Sequence, residues 1–364
     1  MSDHSGFVPD VSIRCNEFKI GAIGSGFIMA DVHLAAYDKA GFPVVAIASR
    51  HVENAESVAN KWNIPKVHQT PEKLIEDPKV EILDMAYPPH LQLDLVRHAL
   101  KQPHIKAILC QKPLALNLQD SQQIVRECEA AGKVLSVNQN MRFDQSMRVL
   151  KQILDKGELG EPVIATIEMR AIPHWQTFLQ EYDRLTLLNM SVHHLDILRY
   201  LFGNPTQIYT AVRKDPRTLF EHRDGICAST LQFPSGLIAV SLEDMWAGPS
   251  KEGFESDIYI KWRVEGTDGL AQGTIGWPDY PIGSPSTLRY CAPTTDGQWK
   301  TPTWDTRWFP HAFTGVMEQL QYALKKDELP NLNGKDNLGT MALVEAGYCS
   351  MKENRPVLLK EFGL

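Results

Sequence analysis

The run Gly21-Ala22-Ile23-Gly24-Ser25-Gly26-Phe27-Ile28-Met29-Ala30 decides the fold, because its glycines separate a short apolar strand from a segment with helical spacing. A turn that binds the pyrophosphate of a dinucleotide needs one glycine for the bend and a second that lets the backbone approach the ligand. Gly24 and Gly26 fit those two positions, whereas Met29 departs from the third glycine of the G-x-G-x-x-G pattern. We therefore predict a Rossmann turn. The residues expected to bind the cofactor here are Gly24, Gly26, Phe27 and Ile28.

Strand-like and helix-like patterns alternate from this run as far as residue 137. Strands are predicted at 18–23, 44–48, 82–86, 105–110 and 134–137, and helices at 30–40, 54–62, 90–101 and 118–131. Repeated strand–helix–strand units of this length are typical of a parallel, doubly wound sheet.

After residue 137 the pattern changes to β-branched, partly alternating runs separated by turns. Strands are predicted at 163–170, 207–214, 226–233, 237–244, 258–265 and 270–274, and helices at 145–156, 193–202, 313–326 and 336–353. Few helices intervene between the strands, so we expect an open, mainly antiparallel sheet with one face covered. A sheet with an uncovered face commonly packs against a copy of itself, which predicts a dimer or tetramer.

The predicted fold class is therefore α/β, with two domains. Residues 1–137 form a dinucleotide-binding Rossmann domain that begins with a loose arm over 1–17. Residues 138–364 form an α+β domain, built on the open sheet, for substrate binding and oligomerisation.

The composition is that of an ordinary globular protein. The 364 residues are 43% hydrophobic and 22% charged, and the net charge of −7 provides no basic surface for nucleic acid or an anionic membrane. The six cysteines show neither C-x-x-C nor zinc spacing, and we find neither a signal-peptide pattern nor an apolar run long enough to span a membrane. We expect a cytoplasmic protein with free thiols, without a catalytic metal, and without nucleic-acid or membrane partners.

The end of the second strand bears on which nicotinamide cofactor binds. A carboxylate at this point would grip the ribose 2′-hydroxyl of NAD. The chain has Ser49, which does not repel a 2′-phosphate, and Arg50, which could pair with one. A solvated arginine is the alternative interpretation. The pattern favours NADP and leaves NAD open.

Further motifs follow in order along the chain. They are Tyr87-Pro88-Pro89, Gln111-Lys112-Pro113-Leu114, Arg142-Phe143-Asp144, Lys156-Gly157-Glu158-Leu159-Gly160-Glu161-Pro162, Asn189-Met190-Ser191-Val192-His193 and Glu345-Ala346-Gly347-Tyr348. Together they resemble the glucose–fructose oxidoreductase, inositol dehydrogenase and rhizopine-catabolism (Gfo/Idh/MocA) family over nearly the whole chain. The resemblance implies a dehydrogenase that moves a hydride between nicotinamide and a hydroxyl-bearing carbon of a small sugar or cyclic polyol. Xylose and apiose are the first substrates to try.

The resemblance implies that Lys112 and His193 carry out the chemistry. Oxidation of a carbinol needs a base for the hydroxyl proton and a cation or donor for the developing alkoxide. We expect His193 to be the acid/base, because imidazole exchanges protons near neutral pH, and Lys112 to hold the hydroxyl and the ribose. The family also implies a cis peptide bond before Pro113. A solvated lysine and a packed core histidine are the structural alternatives.

Two residues depart from the family pattern. Gln111 stands where the family has a glutamate before the lysine, and Asn189 stands where it has an aspartate four residues before the histidine. An asparagine can orient His193 or bind a sugar hydroxyl, but it lends no charge. Spacing of i, i+4 brings both onto one face only if the helix extends back that far.

The remaining candidates are less tied to a motif. Cofactor contacts are also expected from Ser49, Arg50, Tyr87, Pro88, His90, Gln111 and Lys112. Substrate contacts are expected from Lys112, Arg142, Trp175, Asn189, His193 and His311. Further candidates in the same regions are Asn140, His174, Tyr182, Asp183, Arg184, Trp246 and Trp308.

Two other functions compete with a dehydrogenase. One is a dinucleotide-binding sensor or regulator without turnover, a possibility kept open by the two departures. The other is a nicotinamide-dependent glycosidase, which would release free sugar without net reduction of the cofactor.

Overall fold

The computed structural model describes residues 6–171, 177–245, 258–276 and 283–363. They divide into two compact units. The first unit is Val11–Asn140 with Phe309–Met341, and the second is Met1–Asp10, Met141–Trp308 and Ala342–Leu364. This division differs from a single boundary after residue 137, because residues 309–341 pack within the first unit. There the Val137 N–H donates to the Leu332 carbonyl at 2.9 Å, and the Phe18 N–H donates to Gln321 at 3.0 Å.

The first unit is built on a six-stranded parallel sheet. Its strands are β1 (Ile20–Ile23), β2 (Val44–Ala48), β3 (Val67–His68), β4 (Ile82–Met85), β5 (Ala107–Cys110) and β6 (Val134–Val137), in the order β3-β2-β1-β4-β5-β6. Its helices up to β6 are α1 (Leu34–Ala40), α2 (Val52–Trp62), α3 (Pro71–Ile75), α4 (Pro89–Leu100) and α5 (Leu118–Ala130). The central strands β1, β4 and β5 are buried throughout, as strands covered on both faces must be. The strand order reverses between β1 and β4, the place where doubly wound sheets bind ligands at their carboxyl edge.

The second unit contains an eight-stranded mixed sheet. Its strands are β7 (Pro162–Arg170), β8 (Gln207–Arg213), β9 (Ile226–Gln232), β10 (Ile238–Asp244), β11 (Tyr259–Gly266), β12 (Leu270–Ile275), β13 (Thr287–Cys291) and β14 (Val357–Leu358), in the order β13-β12-β11-β7-β10-β9-β8-β14. Among the described strands of this second sheet, only the pair β7–β10 is parallel, so the predicted mainly antiparallel character is confirmed. The remaining helices of the chain are α6 (Gln145–Asp155), α7 (Val192–Phe202), α8 (Trp308–Lys326) and α9 (Gly334–Glu353).

One face of this sheet carries the core of the second unit. Alternate residues of β9 are buried, and α6 and α7 pack on the same sheet. The opposite face presents Thr166, Val240, Lys261 and Arg289, which line a groove of about 660 Å³.

The described part of the predicted loose arm, residues 6–17, is held by contacts with distant residues, which corrects the expectation for this part. Within the second unit, the carboxylate of Asp10 accepts hydrogen bonds from Gln145 at 3.0 Å and from Thr306 at 2.9 Å. Within the first unit, Arg14 pairs with Glu318 at 2.8 Å. These partners are more than a hundred residues away along the chain, which is why the local pattern of polar and apolar residues did not predict them.

In the described part of the chain, no helix is both long and apolar enough to cross a membrane.

Candidate active site

The glycine turn after β1 has the geometry that a phosphate-binding turn requires. Gly24 has φ +113°, and a Cβ at this position would lie 2.5 Å from the carbonyl oxygen of Ala86, so only glycine fits without strain. A Cβ on Gly26 would meet no described atom within 4 Å, so the protein itself leaves room there for a ligand. The chain then enters a π-helical turn, Ile28–His33, that continues as α1. The helix therefore begins two residues earlier than predicted, next to the glycines.

The end of β2 lies beside this turn. Ser25 donates a hydrogen bond to the hydroxyl of Ser49 at 2.8 Å, and Ser49 is buried. Arg50 is exposed, with its guanidinium carbon 5.7 Å from the ring centroid of Tyr87. Burial raises the pKa of Tyr87, while the positive charge of Arg50 opposes that rise. The structure thus brings Ser49, Arg50 and Tyr87 together within the first unit.

The loop after β4 contributes the start of α4. Pro88 immediately precedes the helix, and His90 is exposed on its first turn. Because β4 is the parallel neighbour of β1, this loop leaves the same edge of the sheet as the glycine turn.

Lys112 follows β5, the next strand along that edge. The peptide bond between Lys112 and Pro113 is cis, as the family resemblance implies. The Lys112 N–H donates to the side-chain oxygen of Gln111 at 2.9 Å. Gln111, which stands where the family pattern has a glutamate, therefore has a structural role. Burial lowers the pKa of the Lys112 ammonium to about 7, from an ordinary value of 10.5. A lysine with this pKa exchanges its proton in the range where a dehydrogenase works.

Gln92 is a residue of this region that the sequence analysis did not identify. Its side chain hydrogen-bonds the backbone of Gln111, Pro113 and Leu114, on both sides of Lys112. The sequence does mark Gln92 as unusual, because it is a polar residue on the same helix face as Leu95, where an apolar residue is expected. That face is buried in the structure.

In the second unit, Asn189 and His193 lie on one continuous helical segment. A π-helical turn, Leu187–Ser191, leads directly into α7, so the helix does extend back to Asn189. Both side chains are buried. The ring of His193 meets the ring of Trp308 edge-on, with centroids 6.2 Å apart and planes at 84°. This contact with a buried indole holds the imidazole plane from one side.

Asp224 anchors the start of the same segment and was also not predicted. Its carboxylate accepts hydrogen bonds from the N–H groups of Leu185 at 2.8 Å and Leu187 at 2.7 Å, and from the hydroxyl of Tyr348 at 3.0 Å. Burial raises the pKa of Asp224 to about 6, and these donors oppose the rise. No local pattern around residue 224 could have revealed partners that lie 37 to 124 residues away.

Arg142, expected to contact substrate, makes a buried ion pair in the structure. Its guanidinium binds both carboxylate oxygens of Asp196 at 2.6 Å, and it lies 5.4 Å from the centroid of the Tyr200 ring. Asp196 is one helical turn beyond His193 on α7, so this pair fixes the helix that carries the proposed base.

Replacing Arg142 with methionine should lower the free energy of unfolding by about 3–5 kcal/mol, because the carboxylate of Asp196 would stay buried after losing the guanidinium that binds both of its oxygens. Denaturant unfolding followed by circular dichroism measures the loss. Arg97→Met is the matched control, since Arg97 pairs with Glu127 at 2.8 Å on the surface and such pairs contribute about 0–1 kcal/mol. Similar small losses in both variants would contradict the structural role of Arg142.

The other candidates are placed as follows. His311 contacts the ammonium of Lys39 at 2.7 Å. Lys39 is on the last turn of α1, at the end of that helix opposite the glycine turn. Arg184 pairs with Glu345 at 2.5 Å, and Asp183 pairs with Arg223. Asn140 is buried in the first unit. His174, Trp175 and Trp246 lie outside the described residues.

Among the described residues, no group of three or more His, Cys, Asp or Glu side chains is arranged to hold a metal ion. The absence of a catalytic metal stays a prediction.

Comparisons with known proteins show which family the chain resembles. Residues 18–139 match the model described as "Oxidoreductase family, NAD-binding Rossmann fold", and residues 147–272 match the "GFO/IDH/MocA C-terminal domain". The chain is 25% identical to the D-apiose dehydrogenase of Paraburkholderia graminis over 363 residues, which are 99% of this chain and 94% of that protein. It is 28% identical to the myo-inositol 2-dehydrogenase of Thermotoga maritima over 236 residues, 61% of this chain and 67% of that protein.

A solved structure with the same fold is an oxidoreductase from Agrobacterium radiobacter in complex with NAD+, L-tartaric acid and magnesium. It matches with a TM-score of 0.80 at 23% identity, covering 95% of this chain and 99% of that one. The two family models together span more than half of the chain. The chain therefore belongs to the GFO/IDH/MocA family of NAD-binding oxidoreductases.

Proposed function

We propose that this protein is a dehydrogenase that oxidises a hydroxyl-bearing carbon of a small sugar or cyclic polyol with NAD or NADP. The observation that carries the proposal is the state of Lys112. Its pKa is lowered to about 7 by burial, and it follows a strand whose sheet also presents the glycine turn. A lysine of ordinary pKa at a strand end would only be solvated. This one is desolvated enough to take part in proton chemistry.

The proposed mechanism divides the work between two side chains. The nicotinamide ring, when bound, supplies the hydride acceptor. Lys112 holds the substrate hydroxyl and, as the ammonium, stabilises the developing alkoxide. His193 accepts the hydroxyl proton. Asn189 orients the imidazole or binds a second hydroxyl, without lending charge to the pair.

The substrate class is supported by the names of the relatives, which act on D-apiose and myo-inositol. Apiose, xylose and inositols are therefore the first panel, with reduced nicotinamide followed by its absorbance and with both cofactors supplied. A sensor would bind the dinucleotide without turnover. A glycosidase would release free sugar without net reduction of the cofactor.

Arg50 is proposed to distinguish the two cofactors. Arg50→Ala should weaken NADP binding by about 1–3 kcal/mol, the cost of a charge-assisted hydrogen bond to the 2′-phosphate, and should leave NAD affinity nearly unchanged. Titration calorimetry with each cofactor measures both values. Ser49→Asp is the complementary variant, because a carboxylate repels the 2′-phosphate but can grip a ribose hydroxyl. Equal losses for NAD and NADP in Arg50→Ala would show that Arg50 does not bind the phosphate.

The outer face of the second unit's sheet is proposed to join two or more copies. Ile238 on β10 is 43% exposed and lies on the same face as Val240. A second copy of the chain would cover these apolar side chains. Sedimentation at micromolar concentration should show a dimer or tetramer, and Val240→Lys should shift it toward monomer. A wild-type protein that sediments only as a monomer would contradict the assembly.

We keep the cytoplasm as the proposed location. All six cysteines are free thiols in the structure, which supports a reducing compartment.

A further inference from the structure

One buried side chain holds the backbone on both sides of Lys112. The amide nitrogen of Gln92, on α4, donates to the carbonyl oxygens of Gln111 at 3.0 Å, Pro113 at 3.1 Å and Leu114 at 3.1 Å. Its amide oxygen accepts the N–H of Gln111 at 2.9 Å. Gln92 is fully buried, so these contacts are made without competition from solvent.

Only a carboxamide can make this set of contacts. Buried backbone N–H and carbonyl groups need partners. The Gln111 N–H is shared between the carbonyl of Met85 at 3.1 Å and the side chain of Gln92, and the loop beyond it continues past the end of β5. An aliphatic side chain offers neither donor nor acceptor, and an ionised carboxylate would face three carbonyl oxygens without a proton to donate. Gln92 offers both from one rigid group: its two N–H protons face three carbonyl oxygens, so one proton is shared between two of them, and its oxygen accepts the N–H of Gln111.

We propose that Gln92 is a positioning residue for catalysis, which fixes the loop so that the Lys112 amine stays desolvated and aimed at the substrate hydroxyl. The inference rests on the role of Lys112 in the proposed function. Gln111 extends the same arrangement, because its side-chain oxygen accepts the N–H of Lys112 at 2.9 Å.

The lowered pKa of Lys112 is consistent with this arrangement. Its cause is burial, and the burial of the amine depends on the conformation of the loop that carries Lys112. A loop released from Gln92 would hydrate the ammonium, and the pKa of Lys112 would then rise toward its ordinary value.

The test compares wild type with Gln92→Met, which keeps the length of the side chain, and Gln92→Glu, which keeps its shape and one acceptor. Gln123→Met is the matched control, because the side chain of Gln123 on α5 is partly exposed and donates a hydrogen bond to Glu127 at 3.0 Å, one turn further along the same helix. We expect both Gln92 variants to lower kcat for sugar oxidation about 10- to 100-fold, as small misplacements of a catalytic group do, while the Kd for the cofactor stays within about threefold.

A second readout does not depend on turnover. The Lys112 amine is acylated with a limiting amount of acetic anhydride at a series of pH values, and the modified residue is located by mass spectrometry. The extent of acylation against pH gives the titration midpoint of the amine. The midpoint should lie near pH 7 in wild type and should rise toward 10.5 in the Gln92 variants. A wild-type midpoint near 10.5 would overturn the inference even if neither variant folds.

The outcomes separate this inference from the proposed function. If wild type oxidises no sugar or polyol, the proposed function fails, yet the acylation midpoints still decide whether Gln92 controls Lys112. If Gln92→Met lowers the melting temperature but leaves kcat and the Lys112 midpoint unchanged, Gln92 is only structural and the inference is wrong.

Discussion

The Lys112→Ala variant is expected to oxidise its sugar about 10²- to 10⁴-fold more slowly than wild type, with cofactor binding largely retained. The variant loses both the donor that holds the substrate hydroxyl and the charge that stabilises the alkoxide. Steady-state kinetics with saturating cofactor measure the loss, and calorimetry measures the retained binding. Lys101→Ala is the matched control, since Lys101 is exposed just beyond α4. A Lys112→Ala enzyme of near-normal kcat would remove this lysine from the chemistry.

The pH dependence of the same reaction follows from the lowered pKa of Lys112. As pH rises through about 7 the ammonium loses its proton, so kcat/KM for the sugar should fall on its alkaline limb. In Lys112→Arg the guanidinium keeps its charge, because the pKa of arginine exceeds 12. That variant should be slower but should lack the alkaline limb. An alkaline limb that persists unmoved in Lys112→Arg would assign it to another group.

The second large effect is expected at His193. His193→Ala should lower kcat about 10²- to 10⁴-fold while nicotinamide binding survives, because the hydroxyl proton loses its acceptor. His51→Ala is the control, since His51 is exposed ahead of α2 and makes no capping hydrogen bond through its side chain. The double variant with Lys112→Ala should be little worse than either single one, because groups that act on one step are strongly non-additive. Near-normal turnover in His193→Ala would return this residue to the role of a packed histidine against Trp308.

Asn189→Asp tests how the helix supports the base. The family pattern has a carboxylate at this position, and a carboxylate beside an imidazole favours its protonated form. The acidic limb of the pH–rate profile for oxidation should therefore move to higher pH. An unmoved limb would show that the residue at 189 does not act on His193.

Most of the first unit could be predicted because its signals are local. The glycine turn, the strand before it and the alternation of strands and helices each depend on neighbouring residues, and the structure confirms the parallel sheet with five of its six strands as predicted. β3 was missed because its two residues, Val67 and His68, are too few to show a period. The helix after Gly26 was placed two residues late, because its first turn is π-helical and does not follow α-helical spacing.

The side chains that support the candidate site could not be predicted for a different reason. Gln92 and Asp224 act through the backbone of segments 19 to 39 residues away. The helical pattern marks Gln92 as a polar residue on a buried face, but the local sequence of neither residue shows which distant backbone it binds. Arg142 was predicted to contact substrate because it lies at the junction of the predicted domains, and that contact stays a prediction. Its ion pair with Asp196, 54 residues further on, could not be predicted from the local sequence. Motifs identify which residues carry the chemistry, and tertiary contacts decide which residues hold them in place.

Isotope transfer measures whether this protein moves a hydride from a hydroxyl-bearing carbon to nicotinamide. Apiose or xylose deuterated at the carbon to be oxidised is incubated with the enzyme and with NAD or NADP. The reduced nicotinamide is then analysed by mass spectrometry. We expect one deuterium in the reduced nicotinamide for wild type, and a rate of transfer lowered about 10²- to 10⁴-fold in His193→Ala. Sugar consumed without deuterium in the nicotinamide, or cofactor bound without any transfer from the whole sugar and polyol panel, would contradict it.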